Sequence, residues 1–165
     1  MILLLTFNLG FSQNNSCFDV ARKGSLSEIK LLFDKDKSIV NAIDDNGSSM
    51  LILACYRGNI EVAKFLITNG ADLNYVSDNG TCLMACVFKS EFELVDELIS
   101  KKADLDLTDG NGMTALMLAV QFTNVEMVKK LVSVGANKAL KCKQDKTAFE
   151  YAAFSGNEQI INILK

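Results

Sequence analysis

The sequence predicts an all-α protein, an α-solenoid in which about five helix-turn-helix units stack side by side. Three observations lead to this fold class. A motif recurs every 32 or 33 residues, the apolar residues within each period are spaced as on a helix, and capping and turn residues separate the helices. The chain of 165 residues is long enough for one domain of this kind.

The period is visible at two independent positions. Ala71, Ala103 and Ala136 lie in similar motifs at intervals of 32 and 33 residues. A hydroxyl residue keeps the same interval, at Ser49, Thr81, Thr114 and Thr147. An apolar residue follows each of these two positions later, at Leu51, Leu83, Leu116 and Phe149. Two positions that share one period indicate a structural repeat.

Each unit contains the pattern of two short helices. Apolar residues from Leu51 to Cys55 predict a first helix, Gly58 interrupts it, and apolar spacings of three and four from Ile60 to Ile67 predict a second. The hydroxyl residue before each first helix is an expected N-cap, and Thr147 with Glu150 is an expected capping box. The expected N-caps of the second helices are Asn59, Asn124 and Asn157. Tight turns are predicted between units at Asp45-Asn46-Gly47 and Asp78-Asn79-Gly80.

Short motifs in these units resemble those of the ankyrin repeat family. They are Gly-x-Thr before the first helix, Asn-x-Glu-x-Val at the second, as in Asn124–Val128, and Gly-Ala-Asp-x-Asn after it, as in Gly70–Asn74. The resemblance implies repeats with projecting β-turn fingers, in units of approximately 17–42, 43–75, 76–107, 108–139 and 140–165. The chain departs from the family tetrapeptide Thr-Pro-Leu-His, because it contains no Pro and no His. We therefore expect lower stability per repeat.

Three units have local departures with structural consequences. The third unit is one residue short at Gly80-Thr81, so we expect a distorted finger there. The first and last units are degenerate, with Glu28 and Glu158 where inner units carry apolar residues. The terminal repeats of a stack need polar or charged outer faces, because no further repeat covers them. These two units are therefore predicted to be caps.

The composition excludes several function classes. Without His, Ser-His-Asp and Cys-His catalysis and imidazole-ligated metal sites are impossible. Paired carboxylates fall on expected turn tips, where no burial shifts their pKa values. A net charge of -3 argues against general nucleic-acid binding, and no apolar run reaches the roughly 18 residues of a membrane span. We expect no catalytic residue, no metal, no cofactor, no nucleic acid and no membrane span.

The cysteines leave one alternative function open. None of the five has the Cys-x-x-Cys spacing of a metal site, and Cys55 and Cys86 occupy positions for small residues. Cys82 and Cys86 lie four residues apart on one helix, with Cys82 in the first turn, where the helix dipole is expected to lower a thiol pKa. The alternative to packing is a thiol-based redox-responsive protein that uses Cys82 and Cys86.

The first residues resemble an export signal. Ile2 to Phe11 is almost wholly apolar, and the stretch ends in Phe-Ser-Gln, as in leaders of bacterial exported proteins. No Lys or Arg precedes the apolar run, and a short buried N-terminal segment is the alternative. We expect a leader at residues 1–13 and a repeat domain at 14–165. The protein is then exported, to the periplasm or outside the cell, and is otherwise cytoplasmic.

The family resemblance implies a protein-binding surface on the concave face and the finger tips. One predicted ladder of exposed positions at the ends of the first helices is Arg22, Tyr56, Phe88, Gln121 and Phe154. The neighbouring ladder is Lys23, Arg57, Lys89, Phe122 and Ser155. Acidic residues predicted at the finger tips are Asp44, Asp45, Asp78 and Asp109. Alternatively, the aromatics cover neighbouring repeats and the cations are only solvated.

These expectations define the predicted function. We expect a monomeric, non-enzymatic interaction module whose aromatic and cationic strip binds another protein with an acidic and apolar surface. Aromatic and Arg side chains are the residues that most often dominate such interfaces. The short bacterial ankyrin proteins are similar in size and layout, but a shared scaffold does not identify a target.

Overall fold

The computed structural model describes residues 16–165, in which ten α-helices form five consecutive pairs. The helices are α1 (Cys17–Lys23), α2 (Leu26–Lys35), α3 (Met50–Arg57), α4 (Ile60–Thr68), α5 (Cys82–Lys89), α6 (Phe92–Ser100), α7 (Ala115–Gln121), α8 (Val125–Ser133), α9 (Ala148–Ser155) and α10 (Glu158–Leu164). A 3-10 turn spans Lys37–Asn41. The leader predicted at residues 1–13 lies outside the described residues.

The helices stack in two layers. The first helices of the repeats form one row, in which α1 contacts α3, α3 contacts α5, α5 contacts α7 and α7 contacts α9. Among the second helices, α2 contacts α4, α4 contacts α6 and α8 contacts α10. A single continuous apolar core runs between the layers, and its repeat-related members Leu51, Leu83 and Leu116 are each only 1% exposed. The prediction of an all-α solenoid is confirmed.

Hydroxyl caps start the first helices as predicted. The side chains of Ser49, Thr81, Thr114 and Thr147 each accept a hydrogen bond from a backbone N–H in the first turn that follows. Thr147 and Glu150 form the expected capping box, with both reciprocal hydrogen bonds present. These caps satisfy backbone donors that a helix leaves unpaired, so they fix where each first helix begins.

The prediction for the second helices is correct at two of three positions. Asn124 and Asn157 accept the capping hydrogen bond, but the side chain of Asn59 makes no such bond with α4. Its Nδ2 instead donates to the carbonyl oxygens of Ala21 and Gly24, at 3.3 and 2.9 Å. Asn59 therefore links the first and second repeats, because the end of α1 leaves carbonyl oxygens without helical partners and these accept its hydrogen bonds.

The fingers that precede α3, α7 and α9 close in the same way. In each, a backbone N–H donates to the carbonyl four residues later, as from Asp44 to Ser48 at 2.9 Å and from Asp109 to Met113 at 3.0 Å. In the finger before α5, the N–H of Ser77 donates to the carbonyl of Gly80, only three residues later, at 3.0 Å. The predicted distortion of the third finger is confirmed, and it is a turn one residue tighter than the others.

The end repeats differ from the inner ones in exposure. Glu28 and Glu158 lie exposed on α2 and α10, as expected for capping units. Phe149 occupies the repeat position of Leu116, yet it is 38% exposed because no further repeat packs against α9 among the described residues.

Candidate functional site

Three exposed aromatic side chains form a continuous row along the ends of the first helices. Tyr56 and Phe88 lie in the last turns of α3 and α5 and are both 46% exposed, and Phe122, just after α7, is 50% exposed. The rings of Tyr56 and Phe88 stack with centroids 5.4 Å apart and planes at 14°. Phe122 meets Phe88 edge to face, with centroids 5.3 Å apart at 79°. The three rings, which come from both predicted ladders, contact one another while leaving about half of each surface open.

The first ladder does not continue beyond this row. Gln121 is exposed at the end of α7, where it interrupts the aromatic series between Phe88 and Phe154. Phe154 is 90% exposed, and the ammonium of Lys146 lies 5.8 Å from its ring centroid. The structure therefore separates Phe154 from the other predicted aromatics.

Unpaired cations lie beside the aromatic row. Lys23, Arg57 and Lys89 are exposed, and none forms an ion pair with another residue of 16–165. The guanidinium of Arg57 lies 5.9 Å from the centroid of the Tyr56 ring, within the range of a cation–π contact. Ser155, the last member of this ladder, is exposed and uncharged.

Arg22 is predicted to be exposed on the binding strip and Asp44 at a finger tip, but the two side chains form an ion pair. An Arg22 Nη and an Asp44 Oδ are 2.7 Å apart, and the Asp44 side chain is only 7% exposed. The other oxygen of Asp44 accepts from the backbone N–H of Asn46 and Ser48, at 3.1 and 2.9 Å. The prediction that Asp44 is an acidic finger tip is wrong, because its carboxylate is used to hold the turn.

Asp109 has the same structural role in the fourth finger. Its Oδ1 accepts from the backbone N–H of Asn111 and Met113, at 2.8 and 2.9 Å, and the residue is half-buried. Asp45 and Asp78 are exposed at the turns, as predicted. A sequence signal for the distinction exists, since an Asp that opens an Asp-x-x-Gly turn commonly accepts hydrogen bonds from the backbone two residues on.

Sequence reasoning missed a pocket of about 450 Å³ between the aromatic row and the fingers. We name it the first pocket. Its walls include all three rings of the row, and side chains from α3, α5 and α7 form its floor, notably Leu53, Met84, Ala85 and Leu118. Arg57, and Asn79 of the third finger, also line it. The first pocket combines an apolar floor with polar and charged edges, as ligand-binding clefts do.

A second pocket, of about 420 Å³, lies between the fourth and fifth fingers. Its lining includes Gln121, Asn111, Lys143, Cys142 and Tyr151. No ring of the aromatic row reaches it, so polar side chains dominate its walls.

Cys142 in the second pocket takes the place that Asp44 and Asp109 occupy in their fingers. Its Sγ accepts from the backbone N–H of Gln144 at 3.4 Å and lies 3.3 Å from the hydroxyl of Tyr151. Burial alone raises a thiol pKa, but the hydrogen bonds from Tyr151 and the finger backbone outweigh it and lower the pKa of Cys142. The same hydrogen bond, together with burial, raises the pKa of Tyr151 to about 12.

The predicted low pKa of Cys82 is wrong. Cys82 is 1% exposed, and its thiol donates to the carbonyl oxygen of Leu73 at 3.3 Å. Burial raises the pKa of Cys82 well above its ordinary value, and it outweighs the favourable hydrogen bonds at the start of α5. Cys86 is fully buried, and its hydrogen bond with Cys55, together with burial, raises the pKa of Cys55. Nothing in this geometry favours a redox role for Cys82 and Cys86.

Residues 16–165 contain neither a cluster of metal ligands nor a helix that could span a membrane. No group of three or more Cys, Asp or Glu side chains lies close enough to hold a metal ion in this part of the chain. Within the same residues, every helix is too short or too polar to cross a bilayer.

The fold and surface define the class of protein: a solenoid of helix pairs that displays side chains from successive repeats on one face. A family model described as ankyrin repeats, in three copies, matches residues 17–109 and 82–165. The chain therefore belongs to the ankyrin repeat family.

The known relatives share this repeat region. The ankyrin repeat and KH domain-containing protein mask-1 of Caenorhabditis elegans is 31% identical over 147 residues, which are 88% of this chain and 6% of that protein. Alpha-latrotoxin-Lg1a of Latrodectus geometricus is 28% identical over 73% of this chain and 9% of its own length. The IkB-like protein of African swine fever virus is 28% identical over 87% of this chain and 65% of its own. The chain thus spans a small part of the first two proteins.

Proposed function

We propose that this chain is a non-enzymatic interaction module that binds a partner protein through the concave face. The observation that carries the proposal is the row formed by Tyr56, Phe88 and Phe122, whose rings contact one another and remain about half exposed. Large aromatic side chains left open on a surface are the usual anchors of protein interfaces.

The surroundings of the row support the same function. The exposed cations Arg57 and Lys89 lie in the last turns of α3 and α5, directly after Tyr56 and Phe88 in the chain. Electrostatic complementarity mainly steers association and fixes orientation, so these cations favour a partner with acidic groups beside its apolar contact. The repeat scaffold already holds the row in place, which keeps the ordering cost of binding low.

The test is capture of a partner by the immobilised chain from an extract of the source cells. Replacing Tyr56, Phe88 and Phe122 together with Ala removes the row while leaving the core unchanged. We expect the partner to be lost from this variant, since central aromatic anchors each contribute on the order of 2 kcal/mol. Far-UV circular dichroism verifies that the variant keeps its helices.

Phe154→Ala is the matched control, because Phe154 is a more exposed aromatic that lies outside the row. Capture that survives Phe154→Ala but not the triple variant supports the proposed surface. If the wild type, the triple Ala variant and Phe154→Ala all capture the partner equally, the binding surface lies elsewhere.

A further inference from the structure

The first pocket exists because the third repeat lacks two pieces that its neighbours have. At one position of the first helix, the second and fourth repeats carry Leu53 and Leu118, whereas the third carries Ala85. The tight third finger also has no residue corresponding to Ser48 and Met113, which are buried in their fingers. Ala85 is 7% exposed and lines the floor of the pocket. A small side chain and a missing residue therefore leave an indentation beneath the aromatic row.

The charges around this indentation are not symmetrical. Arg57 lines the pocket on the helix-end side and is unpaired among the described residues, with Lys89 one repeat further along. On the finger side, the Asp109 carboxylate accepts two backbone hydrogen bonds, which partly compensate its charge. Asp78 is exposed at the turn of the third finger. A carboxylate that approaches the pocket is thus attracted to its helix-end side.

We propose that the first pocket binds one large aromatic side chain from an acidic segment of the partner protein, whose carboxylates pair with Arg57 and Lys89. The inference rests on the proposed function and specifies the partner's chemistry. The volume of about 450 Å³ lies within the range of pockets that enclose a bound group. Phe88 and Phe122 can contact the inserted ring, and aromatic pairs favour stacked and edge-to-face arrangements.

The chain contains no Trp, so a Trp-containing peptide is a direct optical probe of the pocket. The probe is a short capped peptide with one Trp flanked on both sides by Glu. We expect its emission to shift to shorter wavelength on binding, and its affinity to decrease as salt screens the charges. Two control peptides carry Ala in place of Trp, or Lys in place of Glu. In competition with the Trp peptide, we expect each to bind about tenfold more weakly or not at all.

Ala85→Leu is the decisive variant. It fills the pocket with the side chain that the second and fourth repeats tolerate at this position, and it leaves the row and the cations in place. We expect it to weaken binding of the Trp peptide by roughly 30-fold. Arg57→Glu tests the charge separately and is expected to weaken binding by about tenfold and to reduce its salt dependence. Phe154→Ala is again the control and should bind as the wild type does.

The outcomes separate this inference from the proposed function. Binding of the Trp peptide that is unchanged in Ala85→Leu, with native helical content, overturns insertion into the pocket. The same is true if no Glu-flanked Trp peptide binds, or if the Lys-flanked peptide binds as tightly. A cellular partner that is lost from the triple Ala variant but retained by Ala85→Leu would preserve the binding surface and reject the pocket.

Discussion

The two pockets of this protein have nearly the same size but opposite chemistry. The first, of about 450 Å³, has Phe88 on its wall, whereas the second, of about 420 Å³, has Gln121 at the same repeat position. The fourth finger lines both pockets, and Asp109 at the start of its turn accepts a backbone hydrogen bond. In the fifth finger, Cys142 is the residue that accepts this bond. The repeat thus determines where an indentation forms, and single side chains determine what can bind there.

The cysteines provide the largest expected difference between the two regions. Both thiols are buried, at 6% exposure for Cys142 and 1% for Cys82. Cys142 lines the second pocket and accepts hydrogen bonds, which lower its pKa, whereas Cys82 at the start of α5 donates its hydrogen to a carbonyl oxygen, and burial raises its pKa. Because the thiolate is the reactive form, we expect iodoacetamide to alkylate Cys142 more than about 100-fold faster than Cys82 in the native protein near pH 8. Peptide mass spectrometry at successive times measures both rates.

Two variants isolate the cause of this difference. Cys142→Ser should remove the fast-reacting thiol and leave the rest unchanged. Tyr151→Phe removes the hydroxyl that stabilises the thiolate, so the pH profile of alkylation at Cys142 should move to higher pH. Equal rates at Cys142 and Cys82, or a profile that Tyr151→Phe does not move, would contradict the described hydrogen bonding.

The tight third finger provides the next effect, on stability. Gly80 and Gly47 both have positive φ, at +98° and +74°, which costs an L-residue about 1 kcal/mol or more. A Cβ on Gly80 would also lie 2.2 Å from Sδ of Met84, whereas nothing lies within 4 Å of a Cβ on Gly47. We expect Gly80→Ala to lower the free energy of unfolding by roughly 2–3 kcal/mol and Gly47→Ala by about 1 kcal/mol.

Urea unfolding of the two variants measures this comparison. Met84 lines the first pocket, so its displacement by Gly80→Ala should also weaken the Trp peptide, while Gly47→Ala should not. Equal losses of stability in the two variants would mean that the third finger does not pack more tightly than the second.

Most of the scaffold could be predicted from the sequence because its determinants are local. The hydroxyl caps at Ser49 and Thr81 lie next to the helices they start, and the shortened third finger is visible as a missing residue in the period. The helix pairs follow from apolar spacing within each unit. The prediction of the aromatic row also rested on local signals, since Tyr56 and Phe88 lie in the last turns of consecutive first helices.

The errors lie where a side chain finds a partner in another repeat or in the core. Arg22 pairs with Asp44 of the following finger, and Asn59 turns back to carbonyls at the end of α1. The period places these groups near one another but does not give their rotamers. Burial raises the pKa of Cys82 more than its position in the first helical turn lowers it, because removing a thiolate from water is more unfavourable than the helix dipole is favourable. The first pocket depends on the small side chain of Ala85, and no sequence motif indicates a pocket at that position.

The smallest expected effect concerns the helix that supports the second pocket. Glu150 accepts hydrogen bonds from the backbone N–H and the hydroxyl of Thr147 at the start of α9, and these lower its pKa below the ordinary value of 4.5. A lowered folded-state pKa means that the ionised form stabilises the native state. This stabilisation is complete above about pH 4.5 and disappears as the pH falls through the folded-state value.

Glu150→Gln should therefore be less stable than the wild type at neutral pH, and the two unfolding curves should converge in acid. Glu28 in the capping box of α2 lines neither pocket and offers a matched variant, since hydrogen bonds with Ser25 lower its pKa in the same way. If local hydrogen bonding alone sets these values, Glu28→Gln will converge with the wild type over the same pH range. Convergence at a clearly different pH for Glu150→Gln would mean that charges of the fifth finger, such as Lys141, act on α9 beyond its own capping box.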